Sequence, residues 1–112
     1  HILMMGLFTC IEDNKLFLKT IQYLASHIKK GGYLILKDSL VTEYNIKELK
    51  KIKLHDTKYK YYRRHTEKYL GCYREENFYL NSFKKYGFKL KKQQYLSQSN
   101  TGSSQMFLLQ KI

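Results

Sequence analysis

From His27 to Asp38 the chain reads His-Ile-Lys-Lys-Gly-Gly-Tyr-Leu-Ile-Leu-Lys-Asp, and this stretch narrows the fold more than any other. A helical periodicity runs into two lysines and two glycines, and an unbroken apolar run follows that ends on an acid. Lys29 and Lys30 suit the negative end of a helix dipole. Gly31 or Gly32 supplies the left-handed residue that stops the helix. Tyr33–Leu36 then reads as a buried strand, closing at Lys37-Asp38-Ser39. Helix, glycine stop and buried strand make one αβ unit of a parallel sheet. In such sheets, functional groups collect at the carboxyl ends of the strands.

The neighbouring segments extend this pattern. Ile2–Met5 is a short apolar run bounded by Gly6. Its lack of alternation predicts a strand buried on both faces. Leu7–Glu12 reads as a loop and Asp13 as a helix N-cap. Phe17, Ile21, Leu24, Ala25 and Ile28 then fall on one helix face. A right-handed crossover makes the two flanking strands parallel. Glu43–Leu54 has Ile46, Leu49 and Ile52 at helical spacing among lysines, which predicts a surface helix. Residues 55–73 are aromatic and basic without a clean period, and read as a long excursion with some ordered pieces, of the kind used for lids and binding loops. Arg74-Glu75-Glu76-Asn77 opens a further helix with Phe78, Tyr79, Leu80, Phe83 and Tyr86 on its apolar side and a stop at Gly87. A strand follows from Phe88 to Tyr95, then a polar loop over 97–104. A last strand contains Met106–Leu109, and the short connection makes this pair antiparallel.

Length and composition bound the rest. The 112 residues make at most one small domain, and 43% hydrophobic residues supply a modest core. No apolar run reaches the length of a membrane span. The apolar start lacks the basic lead of a signal peptide. Because the first residue is His1, the sequence is expected to begin partway through a longer product or after a trimmed tag. Cys10 and Cys72 are read as reduced thiols of a cytoplasmic protein. No Cys or His pair has zinc-ligand spacing. The net charge of +12 suits a polyanionic partner. The basic residues are nearly all scattered lysines, with arginine at 63, 64 and 74 alone; Tyr is frequent, and Pro and Trp are absent. That pattern favours the compositional drift of an AT-rich genome over a nucleic-acid patch.

Three stretches, in order, resemble a known family. Met4–Asp13 looks like a fourth strand and the loop after it. Leu24–Asp38 looks like the next helix, its Gly-Gly turn and a fifth strand. Phe83-Lys84-Lys85-Tyr86-Gly87-Phe88-Lys89-Leu90 looks like a late helix turning into a sixth strand. The chain thus resembles the carboxyl-terminal half of a class I S-adenosylmethionine-dependent methyltransferase. The resemblance implies an α/β fold with a partial Rossmann-like sheet: two parallel strands with a crossover helix, then a helix and a terminal antiparallel strand pair. It implies S-adenosylmethionine as cofactor, lying over Met5, Gly6, Leu7 and Phe8. There Gly6 would let the backbone approach the ligand and the apolar side chains would pack it. The sequence departs from the family in two places. Lys30 stands where a proline is common. The glycine-rich turn and the ribose-binding acid of the family's first two strands have no counterpart. The family places its first strand beside the fourth, so the edge of Ile2–Met5 is expected to be covered by a missing amino-terminal half or by a second copy. An apolar unpaired edge otherwise invites aggregation.

Candidate chemistry follows from these placements. Asp38, at a strand's carboxyl end, is suited to orient a substrate amine or to accept a proton. His65, and His55 across the aromatic stretch, titrate near neutral pH and are candidate bases. Tyr61, Tyr62 and Arg63, with Tyr59 and Arg64, form a candidate lid whose aromatic faces attract a sulfonium or a methylated ammonium. The same Lys58–Arg64 stretch supports an alternative, a basic RNA-binding module that stacks on single-stranded bases. A third reading is a structural fragment inactive in this form. Methyl transfer from a sulfonium depends chiefly on alignment, so the absence of a catalytic triad or metal motif is compatible with the first reading. The acceptor, a small molecule or a protein, is left open, and no membrane partner is implied.

Overall fold

Asp13 opens the first helix because its carboxylate accepts the backbone N–H of Lys15 at 2.8 Å, satisfying a donor that the helix cannot pair internally. The computed structural model describes residues 1–11, 13–41, 46–47, 55–56, 61–66, 69–98 and 103–112, with backbone alone at 55–56, 61–66, 69–71, 97–98 and 103. The elements in chain order are β1 (Ile2–Met5), a 3-10 turn (Phe8–Cys10), α1 (Asn14–His27), β2 (Tyr33–Ser39), β3 (His55–Asp56), β4 (Tyr61–Thr66), β5 (Tyr69–Arg74), α2 (Glu76–Lys85), β6 (Phe88–Gln98) and β7 (Ser103–Lys111). Of the helix expected over Glu43–Leu54, Ile46 and Lys47 are helical and the other positions lie outside the described residues.

The two glycines after α1 serve different ends. Gly31 is the left-handed residue, with φ +85°, and its N–H donates to the carbonyl of Lys111 at 2.7 Å. Gly32 has ordinary backbone angles but no room: a Cβ there would lie 2.8 Å from Ile28 Cγ2 and 2.9 Å from the Lys29 carbonyl oxygen. Gly32→Ala is therefore expected to cost about 1–3 kcal/mol through overpacking, read as a lower midpoint in urea. A variant as stable as the parent would show that the helix end is free to shift.

The main sheet has the order β1-β2-β7-β6. β1 and β2 are parallel, in register from Ile2↔Leu34 to Met5↔Lys37. β7 runs antiparallel to both β2 and β6. Inward positions of the sheet are Leu34, Leu36, Phe88, Phe107 and Leu109. They pack against Phe17, Ile21, Leu24 and Ile28 from the first helical segment and Tyr79 and Phe83 from the second. Phe17 stands at the centre of an aromatic cluster, 5.1 Å from Phe8 edge-on and stacked on Phe78 at 5.9 Å between centroids.

One expectation is corrected. β1 is not buried on both faces: Leu3 and Met5 are 62% and 61% exposed, while Ile2 and Met4 turn to the core. β2 likewise alternates buried and half-buried positions. Both helices pack on one face of the sheet, and among the described residues nothing comparable covers the other. An apolar run therefore does not guarantee a two-sided interior. The aromatic excursion has ordered pieces, as expected. It contains a second, three-stranded antiparallel sheet, β3-β4-β5, with β4 and β5 paired from Tyr61↔Arg74 to Thr66↔Tyr69. Tyrosine-rich segments fit a pleated surface, and strand pairing organises them without helical periodicity. No helix of the described residues is long and apolar enough to cross a membrane.

Candidate active site

Because β1 and β2 run parallel, their carboxyl ends lie side by side, and the Gly6 N–H donates to the Lys37 carbonyl at 2.8 Å. Gly6 has φ +69°, and a Cβ placed on it would meet open space. A left-handed residue here turns the chain sharply out of the strand. The 3-10 turn then folds back, and Thr9 Oγ1 donates to the Gly6 carbonyl at 3.0 Å. The result is a cavity of about 380 Å³ lined by Met5, Gly6, Thr9, Cys10, Lys37, Asp38, Ser39 and Ser104. It lies where open α/β sheets commonly bind ligands, and its size falls within the range of small-molecule sites.

Asp38 is the chemical centre of this cavity. It is 3% exposed, and burial pushes its carboxyl up to about 6, against hydrogen bonds from Ser39, Tyr79 and Thr9 that favour the charged form. Oδ1 accepts the Ser39 N–H at 3.1 Å and Oδ2 accepts the Tyr79 hydroxyl at 3.3 Å. Burial, then the neighbouring Asp38 charge, raises the Tyr79 phenol well above its ordinary value, so Tyr79 stays a donor throughout the physiological range. The carboxyl is thereby poised to exchange a proton near neutral pH while fixed in direction.

Across the register from Asp38 stands Gln105, fully buried. Its Oε1 accepts from Gln93 Nε2 at 2.7 Å, and the same nitrogen donates to Glu76 Oε1 at 2.6 Å. Among the described residues the Gln105 Nε2 has no partner. Behind the cavity, Arg74 is 1% exposed. Its guanidinium donates to the carbonyls of Phe8 at 2.8 Å and Ile11 at 2.6 Å and to Asn14 Oδ1 at 2.9 Å, and lies 4.1 Å over the Phe17 ring.

The structure brings Met5, Gly6 and Asp38 together at one cavity. Leu7 and Phe8 are not among its lining residues. Leu7 is 43% exposed and Phe8 is a core residue, its ring among Phe17, Tyr79 and Phe83. Tyr61, Tyr62, Arg63 and His65 lie on β4, and His55 on β3, with backbone alone described. Tyr59, Lys58 and Lys60 lie outside the described residues. Sequence reasoning missed Thr9, Cys10, Ser39 and Ser104 on the walls, and Tyr79 and Arg74 as their supports. Arg74 had one available signal: it is one of three arginines in a chain whose other basic residues are lysines, and a guanidinium fork is suited to several carbonyls at once. Cys10 is an exposed thiol and Cys72 a buried one. Among the described residues no cluster of three or more His, Cys, Asp or Glu is placed to hold a metal.

No known protein family matches the sequence, and no curated protein does. Solved structures do match the fold. A SAM-dependent methyltransferase from Methanosarcina mazei superposes with a TM-score of 0.76 at 17% identity, over 98% of this chain and 57% of its own length. A protein from Listeria monocytogenes described as an S-adenosylmethionine-dependent methyltransferase superposes with a TM-score of 0.68 at 12% identity, over 99% of this chain and 61% of its own. The chain therefore has the α/β fold found in these methyltransferases and spans about three fifths of their length.

Proposed function

We propose that this chain is the carboxyl-terminal part of an S-adenosylmethionine-dependent methyltransferase, with Asp38 as the group that orients the methyl acceptor and takes its proton. The observation that supports this most is the position of a buried carboxyl with a raised pKa, on a cavity at the carboxyl ends of two parallel strands, in a chain of methyltransferase fold.

The residues present suit such a cofactor. Gly6 leaves open space where a side chain would stand, so a ligand is free to approach the backbone there, and Met5 offers an apolar neighbour. When bound, S-adenosylmethionine supplies a methyl group already activated by its sulfonium. Near neutral pH Asp38 is mostly the carboxylate, held by the Tyr79 hydroxyl and the Ser39 N–H. It accepts a hydrogen bond from an N–H or O–H of the acceptor and takes that proton as the acceptor is methylated. Thr9 has one hydroxyl proton, and it serves either the Gly6 carbonyl or the Asp38 carboxylate.

The other wall of the cofactor site is expected from sequence upstream of His1. β1 is an edge strand of the main sheet, and its outward side chains Leu3 and Met5 are exposed. An amino-terminal half would pair the edge with a parallel strand and cover Leu3 and Met5 with elements packed on that face, and a second copy of the chain is the competing occupant. Calorimetric titration tests the reading on two proteins: this chain, and the gene product extended upstream by roughly a hundred residues, an ordinary domain complement. The extended protein is expected to bind S-adenosylmethionine as a monomer and the short chain weakly. Failure of the extended protein to bind the cofactor overturns the reading. So does oligonucleotide binding by the short chain that falls steeply with salt in the absence of cofactor binding.

A further inference from the structure

Two of the cavity-lining residues, Thr9 and Cys10, sit on a 3-10 turn that has little hold of its own. Its internal bonds are the Cys10 N–H to the Leu7 carbonyl at 3.0 Å and the Ile11 N–H to the Phe8 carbonyl at 3.2 Å. A turn with such bonds is marginal without outside support. Thr9 Oγ1 ties it to the Gly6 carbonyl and Phe8 anchors it in the core, and the further polar support comes from Arg74, far along the chain. Its guanidinium grasps the carbonyls of Phe8 and Ile11, the residues that bracket Thr9 and Cys10. The same side chain reaches Asn14, the first residue of α1, and lies on Phe17. Its backbone holds the opposite wall: the Arg74 carbonyl accepts the Val41 N–H at 2.9 Å. Val41 follows the β2 end that presents Asp38 and Ser39. One residue at the terminus of β5 thus holds chain segments that flank the lining on both sides, at Phe8 and Ile11 and at Val41.

We infer that Arg74 is a positioning residue that holds the 3-10 turn carrying Thr9 and Cys10 against the β2 end carrying Asp38 and Ser39, and through it sets the affinity of the cavity for its small-molecule ligand. Through β5 it ties the cavity to the second sheet, so displacement of that sheet is transmitted to the turn. The inference rests on the methyltransferase reading for the identity of the ligand.

A lysine keeps the charge at position 74 and loses the fork. The extended protein carrying Arg74→Lys is expected to bind S-adenosylmethionine about tenfold more weakly by calorimetry, the scale at which residues without ligand contact modulate a site. Cys10 reports on the site independently. Alkylation of Cys10, followed by mass spectrometry, is expected to slow when the cofactor is added to the parent and not to slow in the variant. Alkylation of buried Cys72 stays slow in both and certifies the fold. If Arg74→Lys does not fold, Asn14→Ala removes one described partner of the guanidinium and is expected to weaken binding about threefold, the lower end of the same scale. A folded Arg74→Lys, or in its place a folded Asn14→Ala, that binds within twofold of the parent and keeps the Cys10 protection overturns the inference. Absence of binding by the parent overturns the methyltransferase reading instead.

Discussion

Asp38→Asn is expected to lower methyl transfer by the extended protein by about 10²–10⁴-fold, the usual contribution of a positioned general base, and at the same time to stabilise the fold above neutral pH. Both effects come from one environment. The Asp38 carboxyl is buried and its pKa rises from 3.8 to about 6. In the unfolded chain the group ionises near 3.8, and in the folded chain only near 6. Between these values the native state holds the proton more tightly, so stability falls as pH rises. The protonated form's contribution is complete below about pH 4 and lost by about pH 7, and its size is about 3 kcal/mol. The parent should therefore show a decline in denaturation midpoint across this window, and Asp38→Asn should lack it. Labelled methyl transfer and urea melts at several pH values check the pair. Retention of activity within a few fold removes Asp38 from the chemistry. A parent with a flat stability profile would mean that the carboxyl is solvated. A group that costs stability at working pH and faces a cavity is typical of a site kept for function.

Phe17→Ala is expected to cost about 3–5 kcal/mol, a large fraction of the 5–15 kcal/mol or so that holds a small domain together. Phe17 has no exposed surface. Its ring meets Phe8, Phe78, Tyr79 and Phe83 at centroid distances between 5.1 and 6.5 Å. Truncation opens a cavity at the centre of this cluster and removes the aromatic face beneath the Arg74 guanidinium. Loss of that face exposes a buried cation to poorer surroundings, so the cost should lie toward the upper end. With a slope of about 1–3 kcal/mol per molar urea, the midpoint should fall by about 2 M. Tyr23→Ala, on the exposed side of the same helix at 63% exposure, is the control and should stay within about 0.5 kcal/mol. Equal effects of the two would mean that α1 is not docked through the Phe17 face.

Much of the framework was legible because its signals are local. The Asp13 cap, the face from Phe17 to Ile28, the glycine stops at 31 and 87 and the helix over Glu76–Lys85 all depend on residues within a few positions of one another. The parallel β1–β2 pair followed from the crossover between them, and the antiparallel β6–β7 pair from the short polar link. Within the site, Met5, Gly6 and Asp38 were legible for the same reason, since they mark strand ends.

Outside residues 55–74, the sequence by itself determined the order of elements, their stops and the strand end at which Asp38 stands. Tertiary structure decided which faces are buried, what surrounds Asp38, and what holds the turn. Tyr79 reaches Asp38 across 41 residues, and Arg74 reaches Phe8 across 66. Burial of Leu34 and exposure of Leu3 depend on which face the helices cover, although both side chains come from apolar runs. Helical periodicity and capping are properties of neighbouring residues and are written in order along the chain. Desolvation, and the shift it imposes on a carboxyl, depend on the low-dielectric volume assembled from distant segments. That volume exists only once the helices have closed over the sheet.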